Sequence, residues 1–159
     1  MKNGLIQWVA MGFGSGYSPV APGTMGSLVA IPLYFLMRPL PMSGYWLLVL
    51  FMAVFGVWLC GVAAEHMGVH DHPGIVWDEI VGMLIALALV PPTASGLRLA
   101  GYVFCGFVLF RVFDILKPWP IGWLDRQVSG GLGIMLDDIV AGFAALTGVA
   151  LIKLLEASV

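Results

Sequence analysis

Twenty consecutive residues, Tyr45 to Ala64, carry no charged side chain. About twenty apolar residues of α-helix cross the hydrocarbon core of a bilayer. Such a run must therefore be surrounded by lipid or by other apolar segments. The rest of the sequence decides for lipid. Of 159 residues, 60% are hydrophobic and only 10% charged, with a mean hydropathy of +1.00. A soluble domain carries about a quarter charged residues, and a chain this poor in charge would leave a large apolar surface against water. The net charge is −2 and no basic run occurs, so nucleic acid is not an expected partner. Cys60 and Cys105 both sit in apolar runs and read as small core residues rather than as a disulfide or a metal pair. The stretch from Met1 to Gly4 leads into a weakly hydrophobic run without a small-residue cleavage site, so no removable signal peptide is expected.

Five apolar segments separate along the chain: Met25 to Met37, Tyr45 to Ala64, Asp78 to Val90, Leu97 to Phe113 and Ile134 to Leu155. The first is short for a span. Small residues recur at helical spacing, as Ala53, Gly56 and Cys60 in the second segment and Ala141, Ala145 and Gly148 in the fifth. Stripes of this kind let helix backbones approach closely in lipid, where packing drives association. The expected fold is all-α: one polytopic transmembrane helical bundle over residues 1–159, with about four to five membrane segments, the first short or re-entrant.

If all five segments cross, the glycine-rich N-terminal segment and the loops at 65–77 and 114–135 share one side. Basic residues then divide evenly, with Arg38, Arg98 and Lys153 facing Lys2, Lys117 and Arg126, so the positive-inside rule gives no orientation. Acidic residues do not divide evenly. Glu65, Asp71, Asp78, Glu79, Asp114, Asp125, Asp137 and Asp138 gather on or beside one face, and only Glu156 lies elsewhere.

Ionisable groups at segment ends in a bundle are candidate functional residues, because burying them unpaired is costly. Four patches qualify. Val76-Trp77-Asp78-Glu79-Ile80-Val81-Gly82 places two acids at an expected helix N-terminus, where the dipole favours anions, with Gly82 opening space on the same helix face. Capping explains one acid but not two. In Arg111 through Pro120, Asp114 lies within one helical turn of both Arg111 and Lys117, followed by Asp125 and Arg126. This patch reads equally as a salt-bridged interfacial cluster or as a metal-binding carboxylate flanked by phosphate-binding cations. Gly130 through Gly142 reads as a glycine-rich turn, able to hold phosphate oxygens on its N–H groups, entering a helix that opens with Asp137 and Asp138. Pro22-Gly23-Thr24-Met25-Gly26-Ser27 offers two hydroxyls and two positions of close approach, with N-capping by Thr24 as the simpler reading.

Two doubled carboxylates plus Asp114 make a hard, oxygen-rich ligand set suited to Mg²⁺, with Mn²⁺ admitted as well. Both ions commonly act on phosphates, and a cation relieves the repulsion among crowded carboxylates. Cys105 and Arg111 have the C-x5-R spacing of cysteine phosphatases, but the intervening residues are apolar and helical in character rather than a phosphate-cradling loop. His66, His70 and His72 raise a transition-metal reading; the alternatives are one imidazole offered to a phosphate or a helix cap, and a structural histidine is the commoner case. A small divalent-cation transporter using the same carboxylates is the rival from another class. It is disfavoured by the acids' position at segment ends and by the absence of a repeat.

At these motifs the sequence resembles the phosphatidylglycerophosphatase A family of Mg²⁺-dependent bacterial membrane phosphatases. The matching stretches are Pro22 to Ser27, Gly68 to His72, Val76 to Gly82, Arg111 to Pro120 and Gly130 to Gly142. No motif residue departs from the family pattern, and only the N-terminal stretch is short. The resemblance implies hydrolysis of phosphatidylglycerophosphate to phosphatidylglycerol and phosphate, a phospholipid substrate held in the bilayer, and a cytoplasmic site in the inner membrane. The expected assignment has Asp78, Glu79, Asp114, Asp137 and Asp138 as metal ligands and Thr24, Ser27, His70, Arg111, Lys117 and Arg126 on the substrate. Asp125 and Asp114 are the catalytic candidates in an in-line attack by water, and a covalent aspartyl-phosphate route stays open.

Overall fold

The computed structural model describes residues 2–69 and 72–158, and every described element is helical. In chain order these are α1 (Lys2–Ala10), a 3₁₀ segment (Gly12–Tyr17), α2 (Pro22–Met37), α3 (Met42–Met67), α4 (Trp77–Leu87), α5 (Gly96–Leu116), α6 (Ile121–Gln127) and α7 (Gly130–Ala157). At about 1.5 Å per residue, α3, α5 and α7 are long enough to cross the roughly 30 Å hydrocarbon core, and all three are sufficiently apolar. α2 is shorter, at 16 residues. The bundle turns large apolar side chains outward, among them Leu47, Leu50, Phe51, Phe104, Leu151 and Leu154. Such a surface is tolerable against lipid tails and not against water. The chain is therefore a helical membrane protein.

The centre is occupied by α4. Its residues from Trp77 to Leu87 are buried except Glu79, which is half-buried. A helix apolar all round is one enclosed on every side, and packing by α2, α3, α5 and α7 accounts for that. Eleven residues reach only about 16 Å, so α4 alone is shorter than the hydrocarbon core, and the connection through Pro91 to Ala94, held by Arg38, completes the passage to the other end of the bundle. A helix wrapped in protein has no need to reach both interfaces, because its ends meet other backbone rather than lipid.

Close helix contact comes from glycine. A Cβ on Gly142 would lie 2.5 Å from the Gly82 carbonyl oxygen, and one on Gly82 would lie 2.7 Å from the Asp138 carbonyl oxygen. Thus α4 and α7 touch backbone to backbone where the acids lie. Gly56 similarly receives Met135 and Trp77, and Gly148 receives Leu109. Ala141 and Ala145 are fully buried. The small-residue stripes are packing surfaces.

Two sequence expectations need correction here. The run Gly130 to Gly133 is not a turn but the start of α7. Gly131 lies against the Val57 carbonyl and Gly133 against the Val128 carbonyl, so these glycines admit neighbouring backbone. Asp137 and Asp138 consequently lie two turns inside α7 rather than opening it. Thr24 is not an N-cap: α2 starts one residue after Ala21, with Pro22 in its first turn, where a missing N–H costs nothing.

At the end of the bundle away from the acids, the Arg38 Nη2 donates to the carbonyls of Pro91 (3.3 Å), Pro92 (3.0 Å) and Ala94. This joins the α2–α3 turn to the connection before α5. Arg98 pairs with Glu156 at 2.9 Å, tying the start of α5 to the end of α7.

Candidate functional site

Five helices bring their ends to one cleft of about 400 Å³, lined among others by Gly23, Asp78, Glu79, Arg111, Asp114 and Lys117. The opening of α4 is fixed from two sides. The Val76 N–H donates to the Ala10 carbonyl at 3.0 Å, and the Trp77 indole N–H donates to the Met52 carbonyl at 3.1 Å. Asp78 and Glu79 follow in the first turn, where the unpaired N–H groups and the dipole favour negative charge. Room for the Glu79 carboxylate exists because residue 23 is glycine; a Cβ there would collide with Glu79 Oε1.

The Gly82–Gly142 crossing brings Asp138 to this pair. One carboxylate oxygen each from Asp78, Glu79 and Asp138 lie within 4.8 Å of one another. Asp78 and Asp138 are buried. At an effective dielectric constant of 20, two full charges at that distance repel by about 3.5 kcal/mol, and three such pairs have no stable resting state without protons or a cation. The hydrogen bonding points the same way. Asp78 Oδ1, Glu79 Oε2, Asp137 Oδ1 and Asp138 Oδ1 are buried without a hydrogen-bond partner among the described residues. Buried polar atoms are nearly always satisfied, so four unpartnered oxygens around one cleft indicate a ligand. The donor set is oxygen only, as hard divalent cations require. This acidic cluster can hold a metal ion.

The cations occupy the cleft wall. Arg111 Nη1 pairs with Asp114 Oδ2 at 2.6 Å and donates to the Ser27 hydroxyl at 3.3 Å, which itself donates to the Gly23 carbonyl at 2.9 Å. Arg111 Nε is buried and has no partner among the described residues. Lys117 ends α5 in a left-handed conformation, φ 42°, which turns the chain toward α6. Its ammonium bridges Asp125 Oδ1 and Asp137 Oδ2, both at 2.6 Å. Burial alone would pull the Lys117 ammonium down, but the hydrogen bonds to these two carboxylates outweigh it and hold its pKa above the usual lysine range. Lys117 is a fixed positive charge.

Of the residues singled out in the sequence, Asp78, Glu79, Arg111, Asp114, Lys117, Asp125, Asp137 and Asp138 line this cleft. Ser27 reaches it through Arg111. Thr24 and Arg126 are not in its lining, and Arg126 is exposed. His70 lies outside the described residues. His72 accepts the Gly74 N–H on Nδ1 at 3.0 Å, a local structural role, and no cluster of histidines and cysteines able to hold a metal occurs among the described residues. Cys105 and Arg111 lie on one continuous helix, so their spacing forms no phosphate loop. The rim also contains Pro73, Ile75 and Val128, apolar residues without a motif to mark them in the sequence.

Fold and site together define a class: a helical membrane protein with a buried acidic cluster facing two cations at one end of its bundle. The chain belongs to the phosphatidylglycerophosphatase A family, whose family model matches residues 8–153. It is 54% identical over 134 residues to phosphatidylglycerophosphatase A of Escherichia coli, covering 84% of this chain and 75% of that protein. It is 42% identical over 143 residues to phosphatidylglycerophosphatase A of Haemophilus influenzae, covering 88% and 83%. A Bacteroides thetaiotaomicron relative, 39% identical over 142 residues and covering 84% of each chain, is named as a candidate phosphatidylinositol-3-phosphatase. No solved structure matches the chain.

Proposed function

We propose that this chain hydrolyses the terminal phosphomonoester of phosphatidylglycerophosphate, yielding phosphatidylglycerol and phosphate. In this reading Mg²⁺ is the cofactor, and the cleft faces the cytoplasm from the bacterial inner membrane. The observation that carries the reading is the cleft in which buried carboxylate oxygens, unpartnered among the described residues, face Arg111 and Lys117. Family membership and the names of the two phosphatidylglycerophosphatase A relatives supply the substrate.

Asp78, Glu79 and Asp138 would hold Mg²⁺, with Asp137 and Asp114 beside them as further ligands. Mg²⁺ supplies charge neutralisation at phosphoryl oxygens and a lowered pKa for a neighbouring water. Arg111 binds the terminal phosphate with the part of its guanidinium that lines the cleft, while the contacts of its Nη1 with Asp114 and Ser27 hold it in place. Lys117 stays protonated and offers its third N–H to a phosphoryl oxygen as charge develops there. Asp125, at the cleft rim, accepts the proton of the attacking water; its contact with Lys117 keeps the carboxylate oriented. The lipid tails remain in the bilayer while the headgroup enters the cleft.

Purified protein in lipid nanodiscs, given phosphatidylglycerophosphate, is expected to release inorganic phosphate with Mg²⁺ or Mn²⁺ and to stop in EDTA. No Mg²⁺-dependent release from folded protein would defeat the reading.

A further inference from the structure

The cleft does not account for a second cavity of about 540 Å³ on the same two helices that carry Ser27 and Arg111. Leu28, Ile31 and Phe35 of α2 and Val103, Phe104 and Phe107 of α5 line it, with Ala100 and Gly96 toward its remote end. Every lining side chain is apolar. The two helices run in opposite directions: α2 leaves the cleft at Gly23 while α5 arrives there at Arg111 and Asp114. Leu28, Ile31 and Phe35 therefore recede from the cleft in the same sense as Phe107, Phe104 and Ala100.

The Ser27–Arg111 hydrogen bond stands at the junction. On one side of it lie the cations and carboxylates, and on the other the apolar groove begins with the very next residue, Leu28. Along α2 the lining runs from Leu28 to Phe35, about 10 Å, and along α5 from Phe107 to Gly96, about 16 Å. One leaflet of the hydrocarbon core is roughly 15 Å deep. The groove thus has the length of one acyl chain, and its polar end is the phosphate-binding end of the cleft.

We propose that the α2–α5 groove seats an acyl chain of the phospholipid substrate, a subsite that rests on the phosphatase reading given above. Its occupant is the chain of the lipid whose headgroup lies in the cleft, because a lipid seated here places its headgroup beside Arg111. Transfer from surrounding lipid into this groove gains little free energy, since the two environments are equally apolar. The groove acts through orientation: it fixes the headgroup's approach to Arg111 and the acidic cluster.

Filling the remote end tests this. Ala100→Trp is expected to lower kcat/KM on long-chain phosphatidylglycerophosphate about tenfold and to leave hydrolysis of the deacylated, water-soluble headgroup unchanged. Gly101→Trp, a similar enlargement at a position with open space around it, is expected to alter neither rate. Equal loss on both substrates, or no loss on either, overturns the groove while leaving the phosphatase reading intact. Failure of the wild type to hydrolyse either substrate defeats both.

A second measurement needs no variant. Phosphatidylglycerophosphate with a diazirine at mid-chain should crosslink to Leu28, Ile31, Phe104 and Phe107 more than phosphatidylcholine with the same chain does. Equal labelling by the two lipids means that bulk lipid alone fills the groove, and the proposal fails.

Discussion

The two ends of this bundle treat charge in opposite ways. At the end holding the α2–α3 turn, Arg98 and Glu156 form a closed pair at 2.9 Å, and Tyr102 donates its hydroxyl to the same carboxylate at 2.6 Å. Both side chains of the pair are exposed, at 55% and 41%, so the pair is worth little and serves to dress an interface. At the other end, among the described residues, six carboxylates and two cations line one cleft, with four buried carboxylate oxygens left unpartnered. An evolved bundle can pair its carboxylates, as Arg98 does for Glu156 at the far end. Leaving buried carboxylates unbalanced costs stability, and that cost is understandable where the missing positive charge arrives with a ligand.

The largest effect should come from Asp138→Asn. Phosphate release should fall by two orders of magnitude or more, on the order of 3 kcal/mol of lost transition-state stabilisation. The same variant should melt higher than wild type in EDTA, because a like charge has left the cluster, and should lose the upward shift that Mg²⁺ gives the wild type. For scale, a ligand at a hundred times its Kd stabilises by about 2.7 kcal/mol. A variant that is less active but equally Mg²⁺-stabilised would remove Asp138 from the metal site.

Gly142→Val should act nearly as strongly by another route. Its side chain must displace the Gly82 backbone, and overpacking of this kind costs about 1–3 kcal/mol. The displacement moves Asp78 away from Asp138, so thermal stability and Mg²⁺-induced stabilisation should fall together. Lys117→Met should reduce phosphate release by about one to two orders of magnitude while Mg²⁺ still raises the melting temperature. Loss of that shift would make Lys117 part of the metal site's support rather than a phosphate contact. The smallest effect belongs to the far end: Arg98→Ala should leave phosphate release and its Mg²⁺ dependence unchanged. A large loss there would mean that the two ends are coupled.

The contrast between the ends was partly legible in the sequence. Apolar runs marked α3, α5 and α7 well: Tyr45 to Ala64 falls inside Met42–Met67, for example. The gathering of acids followed from the same segmentation. Three elements escaped: α1, the 3₁₀ segment and α6 are short, and none carries an apolar run long enough to stand out. The depth of Asp137 and Asp138 was misread for a physical reason. Glycines at 130, 131 and 133 look like a turn because glycine favours turns, yet Gly131 and Gly133 exist to admit other backbones. Equally, no sequence pattern reports that Gly82 and Gly142 meet, and it is this contact that joins Asp138 to Asp78 and Glu79. The cation partners were legible only in part: Arg111–Asp114 follows from helical spacing, whereas Lys117–Asp137 depends on the left-handed end of α5.

In the proposed function, the acidic cluster and the phosphatase centre are the same place. Calorimetric titration of Mg²⁺ into wild type and Asp138→Asn, with phosphate release from phosphatidylglycerophosphate measured on the same preparations, tests it most directly. Wild type should bind Mg²⁺ and release phosphate over the same concentration range, and the variant should do neither while remaining folded. Mg²⁺ binding and phosphate release that both survive in Asp138→Asn would contradict it.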